Sequence, residues 1–546
     1  MTAMSDCLAR VDALVALAFR HLRQQCAQGS RLDPAALDAL QVPSYDLAFS
    51  AAELAAARAV QAWATSLRPQ DGFAGTLADL FTVEALAGVV ARLSLRPADF
   101  GLEPGAIAAA HPCLDAGLQR IVAGDSLAAA GRELLARDGR LPSPLLGDDK
   151  DLMRDTFVQF GAEVVAPRAQ AIHRGDSDIP EDIIQGAAGL GLFGVSIPQR
   201  FGGLQPDDHP DTLAMLVVTE ALSASSLGAA GSLITRPEIM ARALLTGGTP
   251  AQKAHWLPQL ASGEKLVAIS ITEPDFGSDV AGLKLRATPC EGGWRLSGAK
   301  TWCTCAGRAD VILVVARTRS DPALGHRGLS LFMLEKPRFS GHEFQLAGPD
   351  GGRLTARAIP TIGYRGMHSF DLFFEDFFVP DSALVGGPEG DGRGFYLTMA
   401  GLSGGRVQTS ARANGVMQAA LDAGLRHAQA RKVFGQPIAA YPLTQARLAR
   451  IAAWLTASRQ LSYAVARHMD EGGGDMEASL VKLFACRAAE WVTRDAMQIH
   501  GGLGYAEETA ASRYFVDARV LSIFEGAEET LALKVIAREL IARATG

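Results

Sequence analysis

The hydrophobic period of this chain changes twice, and that limits the folds open to it more than any other feature. From Leu266 to Val385 the apolar residues come in short β-branched and apolar runs, such as Val311-Ile312-Leu313-Val314-Val315 and Leu329-Ser330-Leu331-Phe332-Met333, bounded by Gly, Asp and Pro. On either side they recur at helical spacing. Residues 1–147 are rich in alanine and leucine and end in Leu141-Pro142-Ser143-Pro144-Leu145-Leu146-Gly147, which reads as a linker. Residues 148–265 are helical, broken at Pro180 and at the turn Phe201-Gly202-Gly203. After Gly386 long helices return, separated by Gly472-Gly473-Gly474-Asp475. The expectation is an α+β chain in four blocks: a helical extension over 1–147, a helical domain over 148–265, a β domain over 266–385 and a helical bundle over 386–546.

The chain of 546 residues carries 52 Lys and Arg against 59 Asp and Glu, a formal net charge of -7, without a Lys/Arg-rich run. Nucleic acid is therefore not an expected partner. No unbroken stretch of eighteen apolar residues occurs, and Asp6, Arg10, Asp12 and Arg20 are spread along the N-terminal helical pattern. The expectation is a cytoplasmic location without membrane insertion. The seven cysteines are scattered. Cys303 and Cys305, two apart in a strand-like run, have no histidine or second cysteine pair at ligand spacing, so no metal site is expected there and both read as reduced, buried thiols.

The run Ile523-Phe524-Glu525-Gly526 places a carboxylate between an aromatic residue and a glycine, just ahead of the helical run from Glu529 to Ala542. Partial desolvation against the ring would raise its pKa and suit a general base. The bland alternative is a surface acid at a helix N-terminus. Four other segments bear on the choice: Ile269 to Asp279, Gly298 to Thr304, Arg431 to Ile438, and Gln498 to Tyr505. In order and spacing the five segments resemble the signature set of the acyl-CoA dehydrogenase family, over residues 148–546. The resemblance implies an N-terminal helical domain, a β-barrel-like middle domain and a C-terminal four-helix bundle, with residues 1–147 as an extra helical extension.

It also implies FAD-dependent α,β-dehydrogenation of an acyl-CoA thioester. Glu525 matches the base that takes the α-proton; its backbone N–H and a flavin hydroxyl polarise the thioester carbonyl in this family. Phe524 and Gly526 flank it on the substrate side. Ile271, Thr272 and Ser278 match residues along the isoalloxazine ring and pyrophosphate, Ser278 also reaching substrate; Trp302 and Thr304 match those covering the other side of the flavin. Arg431, Phe434, Gln498, Gly501 and Gly502 match residues that a neighbouring subunit supplies to the pyrophosphate and adenosine, which makes at least a dimer necessary. For Trp302 core packing is the alternative, and His500 reads as structural. One subclass draws its base from the residue before the arginine matched by Arg406. Here that residue is Gly405, which cannot act as one. Ala527 and Ser403 depart from the family pattern at positions that often contact FAD or CoA, and Pro442 replaces a polar residue common after the Arg431 segment, whereas Glu529 fits an acidic variant.

Arg236, in Ser232-Leu233-Ile234-Thr235-Arg236-Pro237, lies where family members line the far end of the acyl pocket. There it would suit a substrate ending in carboxylate. The alternative is a surface arginine, or one paired with Glu238. Arg365 and Arg406 are further substrate candidates, in segments where arginine is common across the family. Extension and Arg236 together resemble the (2S)-methylsuccinyl-CoA dehydrogenases, which form mesaconyl-CoA. Competing expectations are a short- or branched-chain monocarboxylic acyl-CoA dehydrogenase, an acyl-CoA oxidase, and a non-catalytic flavoprotein module. The resemblance further implies an electron-transferring flavoprotein as acceptor. Family members assemble through their C-terminal helices; the extension is expected to cover some of that surface and favour a homodimer over a tetramer.

Overall fold

A computed structural model of the protein describes residues 3–29, 31–110 and 116–544. The chain divides into two compact units, one of residues 152–408 and one joining residues 1–151 to 409–546, the division falling inside the helix Gly394–Ala430.

In the unit of residues 152–408 an eight-stranded sheet follows a set of helices that ends with Thr235–Gly247 and Pro250–Ala261. Its strands are β1 Val267–Ser270, β2 Arg286–Cys290, β3 Gly293–Thr304, β4 Val311–Arg317, β5 Leu329–Glu335, β6 Glu343–Ala347, β7 Arg353–Ala358 and β8 Ser369–Pro380. The order is β1-β4-β2-β3-β8-β7-β6, with β5 paired antiparallel to β4. β1 runs parallel to β4, and the long pair β3–β8 is antiparallel with two register shifts. Side chains alternate faces along a strand. On β4, Val311, Leu313 and Val315 pack with Leu244, Leu257 and Leu260 of the helices, while Ile312, Val314 and Ala316 join Leu296, Phe332 and Phe370 in a second core. Burial on both faces explains why this strand reads as a continuous apolar run.

In the other unit the extension belongs to the C-terminal helical core. Its helices Ala3–Cys26, Gln41–Leu67, Gly72–Leu95 and Gly124–Ala136 pack with Pro442–Asp470, Asp475–His500 and the C-terminal helical segments. Trp454 stacks on Phe484, and Phe81 of the extension meets both rings edge-on at 5.2 and 5.6 Å. Gly131 touches the helix Pro442–Asp470 so closely that a Cβ there would lie 2.1 Å from the Gln445 carbonyl oxygen. Only glycine permits that approach.

Gly72–Leu95 is long and apolar enough to cross a membrane by length and composition, although no such span was expected. Most of its apolar window is buried inside this unit. The charges that interrupt it are paired: Asp79 with Arg68, Glu84 with Arg450, and Arg92 with Glu53. These are the features of a core helix. Cys303 and Cys305 are free and buried, Cys7 is disulfide-bonded, and Cys113 lies outside the described residues.

Candidate active site

Within the unit of residues 152–408, the loop after β1 is fastened to β3 by main-chain and ionic bonds. Thr301 N–H donates to the Thr272 carbonyl at 2.9 Å. Lys300, fully buried on β3, donates to the Ile271 carbonyl at 2.7 Å and to the Glu273 carboxylate at 2.9 Å. That carboxylate also accepts the N–H groups of Lys284 and Leu285 at 2.7 and 2.8 Å. Burial pushes the Lys300 ammonium down to about 8, with Glu273 pulling the other way. Ile271 and Thr272 are thus held half-buried on a rigid edge, and Ser278 is exposed further along the loop.

Trp302 sits near the end of β3 in a left-handed backbone conformation (φ 57°), and the residue is 55% exposed. Core packing, the alternative for this residue, is not what the fold gives. An indole held open beside a fixed loop edge fits the flat ring system of a flavin. Thr304 is buried, its hydroxyl 2.9 Å from that of Ser369.

Arg236 is only 7% exposed. Its guanidinium donates to the Tyr364 hydroxyl at 2.9 Å and the Ser232 carbonyl at 3.4 Å, and it lines a small cavity with Leu233, Pro237, Cys305 and Met367. Glu238 instead pairs with Arg242 at 2.6 Å and accepts from Gln408 at 3.2 Å. Helix residues two apart do not face each other, whereas those four apart do. Both alternatives for Arg236, surface placement and pairing with Glu238, are therefore corrected by the structure. Arg365 serves its own surroundings, donating to the Thr361 and His173 carbonyls at 3.0 and 3.1 Å. Arg406 is half-buried on Gly394–Ala430.

In the other unit, the loop after Ala510–Leu521 carries Glu525 (φ 54°) and Gly526 (φ 101°), two successive left-handed residues. Such backbone persists only where its surroundings hold it. The Glu525 carboxylate, 9% exposed, accepts from Arg412 at 2.8 Å and from the Thr409 hydroxyl at 3.1 Å. The carboxylate is withdrawn from solvent, as expected beside Phe524, but its nearest partners are a guanidinium and a hydroxyl. The Phe524 ring lies under the Arg412 guanidinium, 4.8 Å from its centroid. Glu525 is not a surface acid. Lys482 donates to the Gly526 carbonyl at 2.7 Å. Glu528, three residues on, accepts from Tyr45 of the extension at 2.5 Å and from Arg487 at 2.6 Å. Burial and the Glu528 charge push the Tyr45 phenol up to about 12.

Arg412, Lys482, Tyr45 and Glu528 escape sequence reasoning. Arg412 is 113 residues from Glu525 along the chain, and no local pattern marks it as a partner.

The residues matched to a neighbouring subunit's contribution are exposed. Arg431 and Phe434 occupy the hairpin of Lys432–Val433 and Gln436–Pro437, where Phe434 (φ 48°) is 98% exposed. Gln498, Gly501 and Gly502 are exposed at the end of Asp475–His500. The His500 ring bonds the Ala496 carbonyl through Nδ1 and stacks on His427, a structural role. Pro442 opens its helix, where its missing N–H costs nothing.

Three family models match the chain: the acyl-CoA dehydrogenase N-terminal domain over residues 147–264, the middle domain over 268–377 and the C-terminal domain over 392–541. The (2S)-methylsuccinyl-CoA dehydrogenase of Cereibacter sphaeroides is 38% identical over 99% of this chain and 98% of its own length. The mitochondrial 2-methylacyl-CoA dehydrogenase of Solanum tuberosum is 34% identical over 73% of this chain and 92% of its own. The solved butyryl-CoA dehydrogenase of Megasphaera elsdenii is 29% identical, covers 71% of this chain and 97% of its own, and superposes with a TM-score of 0.65. The chain belongs to the acyl-CoA dehydrogenase family of FAD-dependent oxidoreductases acting on acyl-CoA. Residues 1–146 precede the family models, yet the Cereibacter enzyme matches this chain almost end to end.

Proposed function

We propose that the chain oxidises (2S)-methylsuccinyl-CoA to mesaconyl-CoA. The observation that carries this reading is the match to the Cereibacter enzyme over 99% of the chain, extension included. Arg236 supports it as a buried guanidinium at a cavity, suited to a terminal carboxylate.

Glu525 takes the α-proton, with Arg412 and Thr409 fixing its carboxylate and Lys482 fixing the following peptide. FAD, when bound, supplies the hydride acceptor for the β-carbon. Ile271, Thr272, Ser278, Trp302 and Thr304 would hold its ring, and Arg431, Phe434, Gln498, Gly501 and Gly502 would serve the adenosine end of a neighbouring copy's flavin. Electrons then pass to an electron-transferring flavoprotein.

Anaerobic bleaching of the bound flavin by a panel of thioesters tests the substrate. Methylsuccinyl-CoA is expected to bleach it selectively over succinyl-, butyryl-, isobutyryl- and octanoyl-CoA. Arg236→Ala is expected to lose about 10–100-fold in kcat/KM on the dicarboxylyl substrate, the worth of a hydrogen bond to a charged group, and to spare residual activity on butyryl-CoA. Equal losses on both would make Arg236 structural. Bleaching by monocarboxylic thioesters alone would return the chain to the short- or branched-chain dehydrogenases, and peroxide formed in air would identify an oxidase.

The same reading gives a homodimer. The extension packs on Pro442–Asp470 and Asp475–His500 within its own unit, occupying helical surface that would otherwise serve assembly. Light scattering is expected to give twice the chain mass of 57.5 kDa; a clean tetramer would defeat the idea.

A further inference from the structure

Three side chains that the proposed reaction does not use converge at one point in the unit of residues 152–408. Asp176 closes the helix Ala166–Gly175 in a left-handed conformation, His342 precedes β6, and His368 precedes β8. The two imidazole Nε2 atoms are 3.3 Å apart. His342 Nε2 is 3.0 Å and His368 Nε2 3.2 Å from the Asp176 carbonyl oxygen. The Asp176 carboxylate lies 3.3 Å from His368 Nε2 and 3.8 Å from His342 Nε2. One ligand atom from each residue falls within 4.8 Å of the others.

The hydrogen-bond inventory makes this arrangement unusual. His368 Nδ1 faces the Asp178 carboxylate at 3.1 Å, and Asp178 also accepts the Gly341 N–H at 2.7 Å. A carboxylate only accepts, so Nδ1 carries the proton, an assignment made from the network. In the neutral ring, Nε2 then presents a lone pair to a carbonyl, a carboxylate and a second imidazole nitrogen. An N–H on either Nε2 would satisfy the carbonyl, but two imidazole nitrogens and a carboxylate converging on one point are also the donor set of a transition-metal site.

We propose that Asp176, His342 and His368 bind a divalent late first-row transition metal such as Zn²⁺. Zinc–nitrogen bonds of about 2.0–2.1 Å in a tetrahedral site put two ligand nitrogens about 3.4 Å apart, close to the separation here. Asp178 takes the orienting position that a carboxylate holds behind a metal-bound histidine. The Asp176 carbonyl or a water completes four-coordination. Arg365 Nε, 3.7 Å from an Asp176 carboxylate oxygen, shares that group and weakens it as a ligand.

The ion has a structural role. The carbonyls of Met367 and His368 accept the Cys305 N–H at 3.0 and 2.8 Å, and Ser369 meets Thr304. A metal would pin the end of the helix Ala166–Gly175 to the strand pair that carries Trp302 and Thr304.

The test uses the full chain, stripped with a chelator and titrated with Zn²⁺. The expected result is one saturable Zn²⁺ per chain, a melting temperature raised by several degrees, and the intense d–d bands of four-coordinate Co²⁺ on substitution. His342 is exposed and its replacement leaves the core alone, so His342→Ala is expected to stay folded and lose binding at least 100-fold. Asp178→Asn is expected to lose about 10–100-fold. No saturable uptake would overturn the proposal, as would equal uptake by the parent and His342→Ala, which would place the metal elsewhere.

Discussion

Glu525→Gln is expected to abolish flavin bleaching by the substrate, slowing it by about 10²–10⁴-fold, the range that a positioned general base supplies. Glutamine keeps the length and shape of the side chain. Its carbonyl oxygen can still accept from Arg412 and Thr409, which lie 2.8 and 3.1 Å from the carboxylate, so the left-handed turn should survive. The variant loses the ability to take a proton and also the charge that faces the buried Arg412, so its folding is checked beside its rate. Stopped-flow bleaching under anaerobic conditions measures the rate, and the flavin absorbance of the purified variant reports cofactor retention. Exchange of the α-hydrogen with heavy water should fall in parallel, because exchange needs the base and not the hydride acceptor. A variant that retains FAD and bleaches at the parent rate would mean that the base lies elsewhere.

Periodicity is a reliable guide to this fold where one force dominates. The apolar runs of β4 and β5 are buried strands, and the alanine-rich stretch 51–60 lies within the helix Gln41–Leu67. The Gly472-Gly473-Gly474 segment falls between helices, one ending at Asp470 and the next beginning at Asp475. The family, too, is legible, because motif residues are local in the chain. Partnerships are not. Arg412 beneath Glu525, Tyr45 against Glu528 and Glu84 against Arg450 join residues 113, 483 and 366 positions apart. Nothing in a local window distinguishes a buried arginine that pairs from an exposed one that does not. The apolar helix Gly72–Leu95 shows the same limit, since its charges are tolerated only through partners on other helices. His342 and His368 are hidden from the sequence for the same reason, as their meeting depends on the strands that carry them.

Lys300→Met is expected to cost about 3–5 kcal/mol, the usual penalty for removing one partner of a buried ion pair. Methionine fills most of the volume of the lysine stem, so the loss would not come from a cavity. It would come from Glu273, left charged in the interior with only the N–H groups of Lys284 and Leu285, and from the Ile271 carbonyl, which loses its donor. The lowered pKa of Lys300, about 8, says that Glu273 does not fully offset the desolvation of the ammonium. Intact, the pair is thus a weak source of stability; broken, it is a large defect. The double variant Lys300→Met with Glu273→Gln should accordingly recover most of the loss, the amide oxygen still accepting a main-chain N–H. Urea denaturation of the two single variants and the double gives the coupling energy. Because this pair fastens the Ile271–Thr272 edge to β3, Lys300→Met should also release FAD more readily on dilution. A single variant within about 0.5 kcal/mol of the parent, the scatter of an ordinary surface change, would show that the edge is held by its main-chain bonds alone.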